Sequence, residues 1–243
     1  MQKSGGFSLR AMLQTGFRPE EIFPLYAPGA LRAAATHSID QYRLFFGHFS
    51  YDEVLAVNPP VVATMLRDPV ARILSLYWFW RTFTDAYAET SGDFGVQFAR
   101  SVDLVTFFTH APLGIRANYE NAMVRQIVGA PYCLPHVGFT LPEAEILDIA
   151  KEHISSMAVC GIMERFGDSA RLLARSFGLP KTPETVRANT FESRASKLDG
   201  ERLVREAPSP ILLRRLHAMT ELDRELYDYA ERLLRERLAK EAA

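Results

Sequence analysis

The sequence predicts an α/β fold in which a parallel β-sheet is flanked by helices, with a helix-rich C-terminal half. Two observations carry this prediction. The apolar runs at residues 60–66 and 157–163 are short and bounded by polar residues, as buried parallel strands are. Each run is followed by a polar turn and then by apolar residues at helical spacing. A strand, a turn and a helix therefore occur twice along the chain.

The remaining elements follow from local signals. Gly5 and Gly6 precede apolar residues at helical spacing, which predicts an N-terminal helix. Residues 42–49 are rich in aromatic side chains and predict a further buried strand. Asp68 is placed to cap a helix whose first turn contains Pro69. Further helices are predicted over residues 102–108, 118–128 and 172–177, and one amphipathic helix over 211–238.

The composition excludes several classes of protein. The 243 residues carry 28 Lys and Arg against 29 Asp and Glu, and a net charge of -1 excludes a globally basic nucleic-acid-binding protein. Hydrophobic residues make up 48% and charged residues 23%, which are ordinary globular values, so we expect one domain over residues 1–243. No apolar run approaches the ~20 residues that span a bilayer, and the first ten residues lack the core of a secretory signal. We therefore expect a cytoplasmic protein.

Cysteine and histidine spacing gives no sign of a metal site. The two cysteines, Cys133 and Cys160, form no Cys-x-x-Cys pair, so we expect two buried thiols rather than a disulfide or a zinc site. None of the six histidines shows the His-x-x-x-His or His-Glu-x-x-His spacing. The sequence therefore predicts no catalytic metal.

Three groups of residues are candidates for binding and chemistry. A cation, two glycines and hydroxyls stand where the first helix begins and where a phosphate would fit, in the segment Lys3-Ser4-Gly5-Gly6-Phe7-Ser8. This is not a Walker A loop, because the lysine precedes the glycines. Arg67 and Ser75 would meet a second phosphate at the carboxyl edge of the sheet. His48 follows a predicted strand at the same edge and suits a general base.

Each group also has a purely structural explanation. The N-terminal Gly-Ser stretch could be an unstructured tail. Arg67 could form an ion pair with the neighbouring Asp68, with Ser75 merely packed, and His48 could be a structural histidine. Two anion sites and one base at the same edge of a sheet favour the functional interpretation.

The order and spacing of these motifs resemble the carbohydrate sulfotransferase family of the heparan-sulfate 2-O-sulfotransferase type. Its most specific match is Arg-Asp-Pro-x-x-Arg-x-x-Ser, from Arg67 to Ser75. The resemblance also includes the segments 3–9, 46–51, 159–173 and 222–227, so it covers nearly the whole chain.

The resemblance implies a P-loop-NTPase-like fold that binds 3′-phosphoadenosine 5′-phosphosulfate and transfers its sulfuryl group, without a metal, to a hydroxyl of a small-molecule or oligosaccharide acceptor. It implies that the segment 3–8 holds the 5′-phosphosulfate, with Lys3 also stabilising the leaving group. Arg67 and Ser75 would hold the 3′-phosphate, and His48 would deprotonate the acceptor. The segment 187–197 resembles the family's closing loop, which makes Asn189 and Thr190 nucleotide contacts.

The chain departs from the family pattern at two places. The family loop usually reads Pro-Lys-Thr-Gly-Gly-Thr-Ser, whereas Gln2 and Phe7 stand at its first and sixth positions. The family also has a central strand directly before this loop, where Met1 stands here, so we expect the first central strand to be missing and the natural product to be longer. A nucleotide-binding relative without turnover and a P-loop nucleotide kinase remain as alternatives.

Overall fold

The sheet at the centre of the fold has two parallel strands. The computed structural model describes residues 2–34, 39–179 and 203–242. Strand β1 (Ala63–Leu66) pairs with β2 (Val159–Ile162), with Ala63 opposite Val159 and Leu66 opposite Ile162. Every residue of β2 is buried, as expected of a strand covered on both faces. Both apolar runs that predicted these strands are confirmed, although each strand is shorter than its run.

The strand predicted over residues 42–49 is wrong. Within that segment, Leu44 makes an isolated parallel bridge with Ile22, and the structure records no strand there. The aromatic side chains pack instead into a small cluster around Phe23, where Phe49 is also buried. The ring of Phe49 lies 2.4 Å from the position that a Cβ on Gly47 would occupy. The described chain is therefore mixed α/β and rich in helices, with a small sheet.

Helices make up most of the described chain. In the first half they are α1 (Gly6–Gln14), α2 (Ala30–Ala34), α3 (Tyr51–Ala56), α4 (Pro69–Arg81), α5 (Asp85–Thr90), α6 (Phe94–Ser101), α7 (Leu104–His110) and α8 (Leu113–Arg116). In the second half they are α9 (Ala122–Val128), α10 (Glu143–Ser156), α11 (Phe166–Ser176), α12 (Pro210–Met219) and α13 (Glu221–Ala242). No helix in these ranges is long and apolar enough to cross a membrane.

The helix after β1 begins as predicted. The carboxylate of Asp68 accepts a hydrogen bond of 2.8 Å from the backbone N–H of Ala71, and Pro69 occupies the first helical position. Asp68 also forms an ion pair with Arg224 of α13. The turn between β1 and α4 is therefore fixed both locally and by the C-terminal helix.

The C-terminal segment is two helices rather than the single helix predicted. Helix α12 ends at Met219, and the hydroxyl of the next residue, Thr220, donates to the carbonyl oxygen of Leu216 at 2.9 Å. Helix α13 then begins at Glu221 and packs against α10 and β2. Its residues Leu226, Ala230 and Leu234 are fully buried in the same apolar cluster as the sheet. A second cluster joins α4, α6, α7 and α12.

Candidate functional site

The loop before α1 lies at the carboxyl ends of both strands. Gly5 has a φ of 79°, in the left-handed region that favours glycine. A Cβ on this residue would lie 2.5 Å from Sδ of Met163, just beyond β2, and 3.4 Å from Sδ of Met65 in β1. Lys3 also has a positive φ, of 61°, which is uncommon for a residue with a side chain. The loop therefore holds a specific conformation against the end of the sheet and is not an unstructured tail.

The N-terminus of α1 provides hydrogen-bond donors beside this loop. Helix α1 begins at Gly6, has no side-chain cap and carries no acidic residue in its first turn. Its first backbone N–H groups have no acceptor within the helix. Ser4 is 1% exposed, and its hydroxyl has no hydrogen-bond partner among the described residues. A buried hydroxyl without a partner beside a positive helix end is the kind of donor that an anion would satisfy.

The side chains of Phe7 and Ser8 differ in their surroundings. Phe7, which stands where the family has a hydroxyl, is 58% exposed. Ser8 lies one residue further along α1 and is half-buried. Phe7 therefore supplies no polar side-chain group to the loop, although its backbone N–H belongs to the open first turn of α1.

Arg67 joins the end of β1 to this loop. Its Nη1 donates a hydrogen bond of 3.1 Å to the carbonyl oxygen of Lys3. In the part of the chain that the structure describes, Arg67 forms no ion pair, because Asp68 pairs with Arg224 instead. Burial lowers the pKa of Arg67, and the carboxylate of Glu164 opposes this shift. The simple ion pair of Arg67 with Asp68 is therefore not found.

Lys3 contacts the face of α4 that carries Ser75. The ammonium of Lys3 lies 4.0 Å from the centre of the Phe79 ring, a cation–π distance. Phe79 is four residues after Ser75, so the two side chains are neighbours on the helix surface. Ser75 is half-buried there. The structure thus brings together the loop at 3–6, Arg67 and the Ser75 face of α4.

His48 lies on the wall of a cavity of about 360 Å³. Gln2, which directly precedes the loop, lines the same cavity. The backbone N–H of His48 donates to the carbonyl oxygen of Tyr26 at 2.8 Å, and its buried Nδ1 has no partner in the described residues. Burial lowers the pKa of His48 to about 4, and the positive charge of Lys3 contributes. His48 is therefore neutral at pH 7, as a general base must be.

Two buried charged residues that the sequence analysis did not single out also line this cavity. They are Glu53, 4% exposed, and Arg72, 1% exposed. Glu53 closes a capping box with Ser50 at the start of α3. The Ser-x-x-Glu spacing is a signal that the sequence contained. Arg72 lies within the Arg-Asp-Pro-x-x-Arg motif, but its position on the cavity wall depends on packing between distant segments.

A second cavity, of about 440 Å³, shares Arg32, Glu53 and Ala130 with the first. Arg32 forms an ion pair with Asp52, which also lines the second cavity. The two cavities therefore form adjoining spaces with Glu53 between them.

Asn189 and Thr190, the residues of the predicted closing loop, lie outside the described residues. Within the described ranges, no group of three or more His, Cys, Asp and Glu side chains is arranged to hold a metal ion.

A scan against protein-family models finds no match for this chain, and a search of the curated proteins also finds none. Function has to be argued from the residues of the site.

Proposed function

We propose that this chain is a sulfotransferase, which transfers a sulfuryl group from 3′-phosphoadenosine 5′-phosphosulfate to a hydroxyl of an acceptor, with a P-loop-like arrangement of loop and sheet. The observation that carries the proposal is the meeting of three features at one end of the parallel strands. These are the left-handed loop at Gly5, the buried and unpartnered hydroxyl of Ser4, and the guanidinium of Arg67. Each is suited to an anion.

The residues present fit this donor. Lys3, the Ser4 hydroxyl and the N–H groups from Gly6 to Ser8 would hold its 5′-phosphosulfate, and Arg67 with Ser75 would hold its 3′-phosphate. When bound, the donor supplies an activated sulfuryl group. The ammonium of Lys3 and the helix N-terminus stabilise negative charge that develops on the departing phosphate oxygen.

His48 is the residue that would take the acceptor proton. It lies on the wall of the neighbouring cavity, and its buried Nδ1 has no partner. A pKa of about 4 keeps its imidazole neutral at pH 7. A positioned general base contributes typically ~10² to 10⁴-fold to a rate. Negative charge from a bound donor raises the pKa of a nearby histidine, which strengthens the base in the complex.

The alternative of a nucleotide kinase is less well supported by the site. A kinase of this type needs a carboxylate at the end of the strand to hold Mg²⁺. Asp68 occupies that place in the sequence, but it caps α4 and pairs with Arg224. Phe7 favours the alternative of a nucleotide-binding protein without turnover, because its side chain supplies no hydroxyl to the loop.

The experiment is a calorimetric titration with adenosine 3′,5′-bisphosphate in the absence of magnesium. We expect binding by the wild-type chain and by Arg214→Ala, an exposed arginine on α12. We expect binding to be lost in Arg67→Ala. Absence of binding by the folded wild-type chain would contradict the proposal. Binding without sulfuryl transfer to any acceptor in a screen, with His48→Ala as control, would support the binding protein instead.

A further inference from the structure

The carboxylate of Glu164 is held beside Arg67 at the carboxyl ends of the two strands. In the parallel register of the sheet, Leu66 of β1 lies opposite Ile162 of β2. Two residues further along each strand, Asp68 comes opposite Glu164, and its backbone N–H donates to Oε1 of Glu164 at 3.1 Å. Neighbouring strands lie about 4.8 Å apart. A negative charge is therefore fixed at the residue next to Arg67.

Helix α13 fixes the orientation of this carboxylate. The hydroxyl of Tyr227, a buried residue, donates to Oε2 of Glu164 at 3.0 Å. One turn earlier, the guanidinium of Arg224 pairs with Asp68 and lies 5.3 Å from the centre of the Tyr227 ring. Both oxygens of Glu164 thus accept hydrogen bonds from neutral donors. The carboxylate is held in one place although its residue is exposed.

The charge of Glu164 acts on Arg67. Asp68 is paired with Arg224, whereas in the described chain no cation lies within ion-pair distance of Glu164. Burial lowers the pKa of Arg67, and among the charges that act on this residue the carboxylate of Glu164 has the largest effect, with Arg205 acting in the opposite direction. Glu164 therefore stabilises the guanidinium while no anion is bound.

An anion bound by Arg67 would be repelled by the same carboxylate. Two negative charges a few ångströms apart repel each other, and the repulsion weakens the binding of the anion. Water and salt screen the charge of an exposed residue, so the effect of Glu164 is moderate. The site consequently binds an anion less tightly than Arg67 would bind it without this neighbour.

Weaker binding at Arg67 is useful in the proposed reaction. Arg67 would contact the 3′-phosphate, a group that the sulfuryl donor and the nucleotide product have in common. Binding energy that is the same for substrate and transition state does not speed the chemical step. It does delay the departure of a product that carries the same group, and product release limits the turnover of many enzymes.

We propose that Glu164 limits the affinity of Arg67 for a phosphate group and thereby speeds the release of adenosine 3′,5′-bisphosphate. Glu164 acts through Arg67 and is not a catalytic residue. Its role in product release rests on the proposed function. Its effect on an anion at Arg67 does not.

The test uses Glu164→Gln in the full chain, a change that removes the charge and keeps both hydrogen bonds. The amide oxygen accepts from the N–H of Asp68, and the NH₂ group donates to the hydroxyl oxygen of Tyr227. Tyr227→Phe is the opposite variant, because it removes one hydrogen bond and keeps the charge. Glu152→Gln is the matched control, since this exposed residue lies near the end of α10, which leads into the amino end of β2.

Calorimetry with adenosine 3′,5′-bisphosphate measures the affinities, and NMR line shapes measure the dissociation rates. At low salt we expect Glu164→Gln to bind the nucleotide about fivefold more tightly than the wild-type chain, with dissociation slowed by a similar factor. In ~0.5 M NaCl this gain should largely disappear, because salt screens the charge. Tyr227→Phe and Glu152→Gln should differ from the wild-type chain by less than about twofold.

Three results would overturn the inference. The first is unchanged or weaker binding by Glu164→Gln. The second is an equal gain in Tyr227→Phe or Glu152→Gln, because the gain would then come from a lost hydrogen bond or from net charge. The third is a gain in Glu164→Gln that salt does not reduce.

Inorganic phosphate, titrated while the backbone amide shifts of Gly5 and Gly6 are followed, separates this inference from the proposed function. Arg67→Ala should remove the response. If the wild-type chain binds the nucleotide but Glu164→Gln binds neither anion more tightly, the inference fails and the proposed function stands. If the wild-type chain binds only phosphate, and Glu164→Gln binds it more tightly, the proposed function fails and the effect on Arg67 stands. Binding of neither anion by the folded wild-type chain would overturn both.

Discussion

Nη1 of Arg67 donates a hydrogen bond to the carbonyl oxygen of Lys3 at 3.1 Å. This bond joins the end of β1 to the loop that precedes α1, across 64 positions of the sequence. One guanidinium therefore has two tasks in the proposed site. It holds the loop in place, and in the proposed site its remaining N–H groups would bind an anion.

Arg67→Lys separates these two tasks. Lysine keeps the positive charge but lacks the planar fork of the guanidinium, so it cannot hold the loop and an anion together. We expect the Kd for adenosine 3′,5′-bisphosphate to rise about tenfold, which corresponds to ~1.4 kcal/mol or one charge-assisted hydrogen bond. Calorimetry measures this change, with Arg214→Lys as control. If Arg67→Lys bound the nucleotide with the Kd of the wild-type chain, the positive charge alone, and not the planar guanidinium, would account for binding.

Gly5→Ala should destabilise the fold, whereas Gly6→Ala should not. Gly5 has a φ of 79°, and its new Cβ would lie 2.5 Å from Sδ of Met163, so strain costs roughly 1 to 3 kcal/mol. Gly6 is helical, and its Cβ would meet the Phe46 ring at an ordinary 3.7 Å. Alanine there stabilises by about 0.4 to 1 kcal/mol. Urea unfolding of both variants measures the difference, and equal stabilities would contradict the loop geometry.

The pKa of His48 should be about 4, well below that of a free imidazole. Burial is the main cause, and the positive charge of Lys3 adds to it. Lys3→Ala should therefore raise the pKa but leave it below 6.5, because burial remains. Titration of the imidazole carbon shifts by NMR measures both values, with Lys240→Ala as control. A pKa near 6.5 in the wild-type chain would contradict the buried position of the ring.

The same shift makes stability depend on pH. Between pH 6.5 and about 4, the unfolded chain binds a proton at His48 that the folded chain does not bind. The contribution of His48 to the free energy of unfolding therefore falls as the pH falls through this range. His48→Gln removes this contribution. The difference between the two unfolding free energies should change between pH 7 and pH 4.5, and a constant difference would refute the shift.

Asp223→Ala should be among the most destabilising single changes. The buried carboxylate of Asp223 faces Arg72 and accepts from the N–H groups of Met123 and Val124, at 3.2 and 2.8 Å. Its loss leaves the buried guanidinium of Arg72 without its counter-ion and the first N–H groups of α9 without their acceptors, at a cost of roughly 3 to 5 kcal/mol. Denaturant unfolding measures this cost. Asp228→Ala, a half-exposed carboxylate on the same helix, should change stability by less than about 1 kcal/mol.

The parts of the fold that the sequence predicted are those that local chemistry decides. Asp68 followed by Pro69 marks the start of α4, and the glycines before Phe7 mark the start of α1. These signals act within a few residues and do not depend on distant partners. The two strands were found because each lies in a short, mainly apolar run, although only β2 is buried along its whole length, as a strand covered on both faces is.

The parts that sequence reasoning missed depend on partners far along the chain. Residues 42–49 have the composition of a strand, but a strand needs a neighbour over its whole length, and only Leu44 has one. Glu53 was readable as a helix cap and not as a cavity residue, because the cavity exists only once α3 and α9 have packed together. Thr220 followed by Glu221 and Asp223 has the pattern of a helix start, but the apolar stripe continues on both sides of it and favours one long helix.

The pairing of β1 with β2 has a consequence for how the chain acquires its structure. The backbone N–H of Asp68, just after β1, donates to the carboxylate of Glu164, 96 positions later, so the contacts at the centre of the fold are strongly non-local. Chains with such contacts fold slowly, because a long loop must close before they form. During synthesis on a ribosome, about a hundred further residues have to be added after β1 before its partner strand, β2, emerges. During that interval its unpaired edge and apolar side chains are exposed to chaperones and to other chains.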